Sequence, residues 1–172
     1  HAVRKRRGAT CDSGTGVVSV PVPVGVTIEP IDGGITAPDG FRVAGVSCGI
    51  KKAEALDLAL IVADGLASAA GVFTTNKAQA APVLVSREHL TGSSGRAAAI
   101  LVNSGCANAC TGPEGVAVAR STADFVASMI GCAPNQVLVA STGVIGVQLD
   151  GAKIRHGAAI AMRSLARSSH HE

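Results

Sequence analysis

Apolar and polar positions along the chain fall into blocks of two different periods. Leu56 to Ala63 reads LDLALIVA, an aliphatic run of strand length, and AAGVFTTN from Ala69 to Asn76 is expected as a second strand. The small residues between them predict an antiparallel hairpin. PVLVS from Pro82 to Ser86 is a third expected strand, and RAAAILVNSG supplies a buried fourth that ends at Asn103 to Gly105. The period then changes. Val116, Ala119, Ala123, Val126 and Ile130 recur at helical spacing. Thr111 or Gly112 caps this predicted helix, Pro113 fits its first turn, Glu114 complements its dipole and Gly131 stops it. A strand from Gln136 to Ala140 and an amphipathic helix from Gly151 to about Leu165 follow. A hairpin-rich first half followed by strand, helix, strand, helix predicts a mixed α/β (α+β) fold of layered sheets flanked by helices, with no internal repeat.

The N-terminal portion reads differently. Val17 to Pro30 alternates Val with Pro, Gly and Thr, and Pro21, Pro23 and Pro30 keep it off any central strand. Turn formers crowd Asp32 to Gly40. Residues 1–30 are therefore expected to be an extended or disordered leader, and residues 31–172 one folded domain. The formal charge of +3 belongs to residues 1–16, because Arg4, Lys5, Arg6 and Arg7 lie there with Asp12, and the eleven cations and eleven acids that remain balance. Such a run is expected to be a solvated tail or a transit-peptide stub. The expected location is the cytoplasm, with a mitochondrion or plastid as the alternative if the stub reading holds.

Composition removes several function classes. Hydrophobic residues make up 47% of the chain, yet Trp and Tyr are missing and Phe occurs three times, at 41, 73 and 125. The core must be aliphatic, and aromatic stacking on nucleic-acid bases has no basis. Charged residues and glycines interrupt every apolar run before the roughly twenty residues a bilayer span needs. Neither nucleic acid nor membrane is an expected partner. Five cysteines, at 11, 48, 106, 110 and 132, are odd in number and scattered, so buried or semi-buried free thiols are expected rather than a disulfide framework. Cys106 and Cys110 lack a second Cys pair or a neighbouring His, and His170 and His171 sit at the frayed end, so no metal site is expected.

Two predicted strands end in glycine-bearing polar tips. One is NSGCANACTG from Asn103 to Gly112; the other is STG, Ser141 to Gly143, inside VLVASTGVIG. A strand that only needed burial would gain more from another Val than from a hydroxyl and a glycine. Glycine lets successive N–H groups converge on one point, as in an anion nest or an oxyanion hole, and Thr142 adds a hydroxyl donor. Such tips are also common as plain turns. Neither GxGxxG nor the phosphate-loop lysine pattern occurs, which disfavours a dinucleotide or nucleotide enzyme. His89 and His156 have no GxSxG elbow to serve, which disfavours a Ser-His-Asp hydrolase.

Five stretches in collinear order carry a resemblance: GGITAPDGFRVAGVSCGIKK from Gly33, LDLALIVAD from Leu56, AAGVFTTNKAQAAPVLVSR from Ala69, AAAILVNSGCANACTG from Ala97 and VLVASTGVIG from Val137. Together they closely resemble the ornithine acetyltransferase family, the bifunctional glutamate N-acetyltransferases of arginine biosynthesis. The resemblance implies a precursor that cuts itself into an α and a β chain, whose new N-terminal Thr takes acetyl from N-acetylornithine and gives it to glutamate. It implies an oxyanion hole at Thr142 and Gly143, after which Val144 and Ile145 resume the core. The implied partners are the β chain of the same precursor, in a heterotetramer of two α and two β chains, and the small-molecule substrates. No cofactor is implied, although acetyl-CoA is a possible acetyl donor.

The family's cleavage junction and its preceding Thr-rich segment have no counterpart before Glu172. The chain is thus expected to be an incomplete α chain, inactive alone. Cys106 stands where the family usually carries Asn, a tolerated small substitution rather than a nucleophile. Because β-aminopeptidases share the implied architecture and self-cleavage, a fragment of an aminopeptidase-like hydrolase is the alternative. A noncatalytic remnant binding a partner along an open sheet edge is a third reading.

Overall fold

Alternation along the longest strand sets the architecture. The computed structural model describes residues 34–52 and 55–167. In it β2, Leu58–Ser68, buries Leu58, Leu60 and Val62 on one face, the period-two signature of a half-covered sheet. It pairs antiparallel on one side with β1, Phe41–Val46, and on the other with β3, Arg96–Asn103. A fourth strand, β4, Val137–Ser141, pairs parallel with β3, giving the order β1-β2-β3-β4.

The register stacks Ala44, Leu60, Leu101 and Val139 in one row across the sheet, and all four are buried. The helices α1 (Ala81–Gly92), α2 (Gly112–Ile130) and α3 (Gly151–Ser164) cover this row and share one aliphatic cluster with it, including Val85, Ala123, Val126, Ile154 and Ala158. A core without large aromatics closes because the helices present small residues and come close. A Cβ on Gly157 of α3 would collide with the Cys48 side chain and lie 3.2 Å from Leu58 Cδ1. The opposite row, Ile61, Ile100 and Leu138, has no helix over it among the described residues. It lines an open apolar cavity of about 290 Å³ together with Phe41, Ala63 and Ala97.

The outer edge of β4 is occupied, and that of β1 is met at one point. Ser86 of α1 donates its hydroxyl to the Val139 carbonyl at 2.6 Å and accepts the Val139 N–H at 2.9 Å, and His89 bonds the Val137 carbonyl at 2.8 Å. Two helix side chains thus stand in for a fifth strand along β4. On β1, Val43 and Ala166 exchange main-chain bonds of 2.9 and 3.0 Å.

The two expected strands between β2 and β3 are absent. Residues 69–80 are irregular, because both edges of β2 are taken and side chains hold the segment in local turns. The Asn76 N–H bonds Thr74 Oγ1 at 3.1 Å, and the Ala78 N–H bonds Asn76 Oδ1 at 2.9 Å. PVLVS belongs to α1 instead. Its proline sits in the first turn, where no N–H is needed, and Pro82, Val85, Ser86 and His89 face inward at helical spacing. Conversely β1 is not among the expected strands: it follows the turn formers of Asp32 to Gly40, carries Arg42 and Gly45 and shows no clean alternation.

The remaining elements match expectation closely. Gly131 ends α2 with φ +81°, β4 follows a short 3-10 turn at Pro134–Gln136, and Asp150 caps α3 by accepting the N–H groups of Ala152 and Lys153. No helix among the described residues is long and apolar enough to cross a membrane. The expected leader, Cys11 and the pair His170 and His171 lie outside the described residues.

Ser86→Ala is expected to lower the unfolding free energy by about 1–3 kcal/mol, because it strips partners from a buried N–H and carbonyl of β4. Urea unfolding checks this, and an unchanged midpoint would mean that Ser86 does not secure the strand.

Candidate oxyanion site

Parallel pairing brings the two polar tips to one end of the sheet. Asn103 and Ser141 are register partners, so β3 and β4 stop at the same level and their loops leave side by side. The loops remain laced together. The Thr142 N–H donates to the Asn103 carbonyl at 3.0 Å, Val144 to Gly105 at 3.3 Å, Ala107 to Val144 at 2.9 Å and Gly146 to Ala109 at 2.9 Å.

This lacing needs glycine where the backbones touch. Gly143 has φ +131°, and a Cβ there would sit 2.6 Å from both the Cys106 nitrogen and the Gly105 oxygen. Gly105 has φ +99°, and its Cβ would lie 2.8 Å from Ile50 Cγ2. Either side chain would drive the loops apart.

The first tip spends its polar groups internally. Asn103 Nδ2 donates to the Cys106 carbonyl at 2.9 Å. Asn108, fully buried with φ +47°, donates to the Gly115 carbonyl at 2.9 Å and accepts the Thr111 hydroxyl at 2.8 Å. NSGCANACTG is therefore the scaffold, and STG is the part that faces outward. Thr142 and Gly143 are exposed, and among the described residues neither the Thr142 hydroxyl nor the Gly143 N–H has a hydrogen-bond partner. Two adjacent free donors on a braced loop can meet one negatively charged oxygen.

Val144 and Ile145 do not resume the core. They are 59% and 65% exposed, and Val147 is 52% exposed. Main-chain bonds to residues 105 and 107 hold Val144 at the surface, and the chain re-enters the interior only at Leu149.

The thiols fit packing rather than attack. Cys106 is buried and donates its thiol to the Val147 carbonyl at 3.3 Å. Burial, together with the hydrogen bond and charge of Asp57, pushes the Cys48 thiol up to about 12, and burial raises that of Cys132. Cys110 is exposed, unlike the expected buried or semi-buried thiols. His89 is committed at the far end of β4 from Thr142, and His156 is exposed on α3. Among the described residues, no three His, Cys, Asp or Glu side chains gather as a metal site would require.

One residue of the site's support was missed in the sequence, where it read as the lone charge of an aliphatic strand. Asp57 is 1% exposed and accepts the N–H groups of Cys48 at 2.6 Å, Ile50 at 2.7 Å and Lys51 at 2.9 Å. An acidic residue just before an aliphatic run, with Gly49 upstream to turn the chain, was the available signal.

Four strands under three helices, with two laced loops at the end of the parallel pair, define a layered α/β protein. The model of the ArgJ family matches residues 42–171, and the chain belongs to that family. It is 51% identical over 136 residues to the arginine biosynthesis bifunctional protein ArgJ of Nitratidesulfovibrio vulgaris, covering 79% of this chain and 34% of that protein. Its identity to the Gloeobacter violaceus protein of the same name is 53% over 130 residues, 76% of this chain and 32% of the relative. The chain thus spans about a third of the length of the curated relatives it matches. Among solved structures, ornithine acetyltransferase of Mycobacterium tuberculosis complexed with ornithine superposes with a TM-score of 0.75 at 43% identity, over 80% of this chain and 77% of that one. The ArgJ protein of Bacillus halodurans gives 0.70 at 40% identity, over 73% and 65% of the two chains.

Burial alone would raise the Asp57 pKa, but the N–H groups of Cys48, Lys51 and Ile50 and the Cys48 thiol outweigh it and hold the carboxyl below its ordinary 3.8. A depressed folded pKa adds stability above the unfolded value, and that stability is lost as pH falls through the folded one. Asp57→Asn is therefore expected to be less stable than the parent near pH 7, with a gap that narrows below about pH 4. Urea unfolding across that range measures it; a gap independent of pH would show that the ionised carboxylate is not what the loop binds.

Proposed function

We propose that this chain is the α portion of an enzyme that moves acetyl from N-acetylornithine to glutamate in arginine biosynthesis. The observation that carries the reading is the pair of exposed, unpartnered donors, the Thr142 hydroxyl and the Gly143 N–H, in a member of the ArgJ family.

In this reading a Thr hydroxyl at the start of a β chain attacks the acetyl carbon of N-acetylornithine. As the new C–O bond forms, the carbonyl π electrons move onto oxygen, and that oxyanion lies against Thr142 and Gly143. The oxyanion collapses, the C–N bond breaks, and ornithine leaves with the proton that the nucleophile lost to a base such as its own α-amine. The amine of glutamate then attacks acetyl-Thr through a second oxyanion in the same place; as it collapses the C–O bond breaks, N-acetylglutamate leaves, and the base passes the amine's proton to the Thr oxygen. Fixed donors stabilise both states because they need no reorientation when charge develops. The chemistry requires no cofactor, and acetyl-CoA serves as a second acetyl donor by the same route. The word bifunctional in the relatives' names fits two donors.

Two observations support a β-chain partner, in an assembly of two α and two β chains. The uncovered apolar face of the sheet has the character of an unfinished core, which further polypeptide from the same precursor would cover. The chain also aligns with 77% of the solved mycobacterial ornithine acetyltransferase chain but with 32% of the curated mycobacterial ArgJ protein, as expected if the solved polypeptide is one piece of a divided precursor. Acetyl transfer is preferred to peptide hydrolysis because the ornithine-bound relative shares 43% identity with this chain. A cytoplasmic site of action accompanies the reading.

Thr142→Ala in the assembled enzyme is expected to lower kcat about a hundredfold to a thousandfold, the usual cost of one oxyanion donor, and to slow self-cleavage while the fold persists. Acetyl transfer from N-acetylornithine to glutamate measures it. Normal turnover in that variant would remove the assignment.

A further inference from the structure

The support behind Gly143 runs deeper than the two laced loops. Gly143 rests on the backbone of Gly105, and Gly105 rests on the loop of residues 48–51. A Cβ at Gly105 would lie 2.8 Å from Ile50 Cγ2 and 3.1 Å from Lys51 Cγ. That loop has no place in any strand or helix; its shape is set by what binds its N–H groups. Three of them point at the Asp57 carboxylate, the Cys48 N–H at Oδ1 and those of Ile50 and Lys51 at Oδ2. A second clamp comes from α3, where Lys153 Nζ donates to the Gly49 carbonyl at 2.9 Å. Asp57 also reaches the tip by its own main chain, since its carbonyl accepts the Ser104 N–H at 2.8 Å. One buried residue therefore grips both sides of the Ile50–Gly105 contact.

We propose that Asp57 is a positioning residue for the oxyanion site: its carboxylate holds Ile50 and Lys51 as a backstop behind Gly105, which fixes where Gly143 presents its N–H. The inference rests on the reading of Thr142 and Gly143 as oxyanion donors. Asp57 itself touches no substrate, because it is buried and its oxygens are occupied by the loop. Its influence is geometric. Asparagine at the same position places an amide NH₂ against one of the N–H donors, so part of the loop loses its acceptor and the backstop relaxes. Oxyanion donors act only from the correct distance, and small displacements carry large rate penalties.

The test uses the assembled enzyme with Asp57→Asn, Ile50→Ala, Thr142→Ala and the double variant Asp57→Asn/Thr142→Ala. Asp57→Asn and Ile50→Ala are each expected to lower kcat by about tenfold to a hundredfold, while KM stays within about twofold. In the Thr142→Ala background the Asp57 change is expected to cost less than about threefold, because a site already lacking one donor gains little from placement of the other. A purely structural role predicts the same factor in both backgrounds and a loss that follows the folded fraction rather than kcat. Equal factors, or normal kcat in both Asp57→Asn and Ile50→Ala, would overturn the proposal while a slow Thr142→Ala left the oxyanion reading standing. Normal turnover in Thr142→Ala would instead remove that reading, and this proposal with it. Should Asp57→Asn fail to fold, Ile50→Ala decides, since it trims the backstop and leaves the carboxylate and its donors paired.

Discussion

The site depends on one contact, the approach of the Gly143 backbone to the backbone of Gly105 and Cys106. Parallel pairing of β3 and β4 makes the approach possible, since it ends both strands at Asn103 and Ser141 on the same level. Glycine makes it sterically allowed, because a Cβ would lie within 2.6 Å of neighbouring main-chain atoms. With main-chain groups of Thr142, Val144 and Gly146 used to bind the neighbouring loop, the Thr142 hydroxyl and the Gly143 N–H have no hydrogen-bond partner among the described residues, and both residues are exposed. A loop of this length would otherwise wander. Here main-chain bonds from Thr142, Val144 and Gly146 tie it to the first tip.

The same economy governs the buried polar residues. In an interior of Ala, Val, Leu and Ile, each polar side chain left without a partner is costly. Asn103, Asn108 and Thr111 shape the first tip from within, Ser86 and His89 complete the edge of β4, and Asp57 organises the loop beneath the tip. Except for Ser86 and His89, which bond the middle and the start of β4, these groups lie at the end of the sheet where the two loops meet. The aliphatic composition that makes the sequence look plain is thus what gives these few polar groups their leverage.

Asymmetry of the sheet links fold to partnership. One face carries three helices and the main cluster of buried side chains, whereas Ile61, Ile100 and Leu138 on the other face line an open apolar cavity. The chain matches about a third of its relatives' length. The proposed reaction calls for a nucleophile from a β chain.

Legibility followed the range of the forces involved. Strong local patterns were readable: LDLALIVA and RAAAILVN as strands, the three-and-four spacing of α2 with its Gly131 stop, and the Asp150 to Ser164 helix. PVLVS misled because five residues of that kind suit a strand or a first helical turn, and Pro82 with the inward Ser86 and His89 decides for the helix only once β4 is there to receive them. Val144 and Ile145 misled because hydrophobicity predicts burial, whereas main-chain bonds to the adjacent loop hold them outside. Composition and spacing marked Thr142 and Gly143 as an anion-facing tip, and five collinear motifs named the family. Tertiary structure alone decided that the two tips meet, that one is scaffold and the other is exposed, and that Asp57 lies behind both. Contacts between residues nearly fifty positions apart, such as Asp57 with Ser104, are set by strand pairing and register, and no local pattern of residues encodes those.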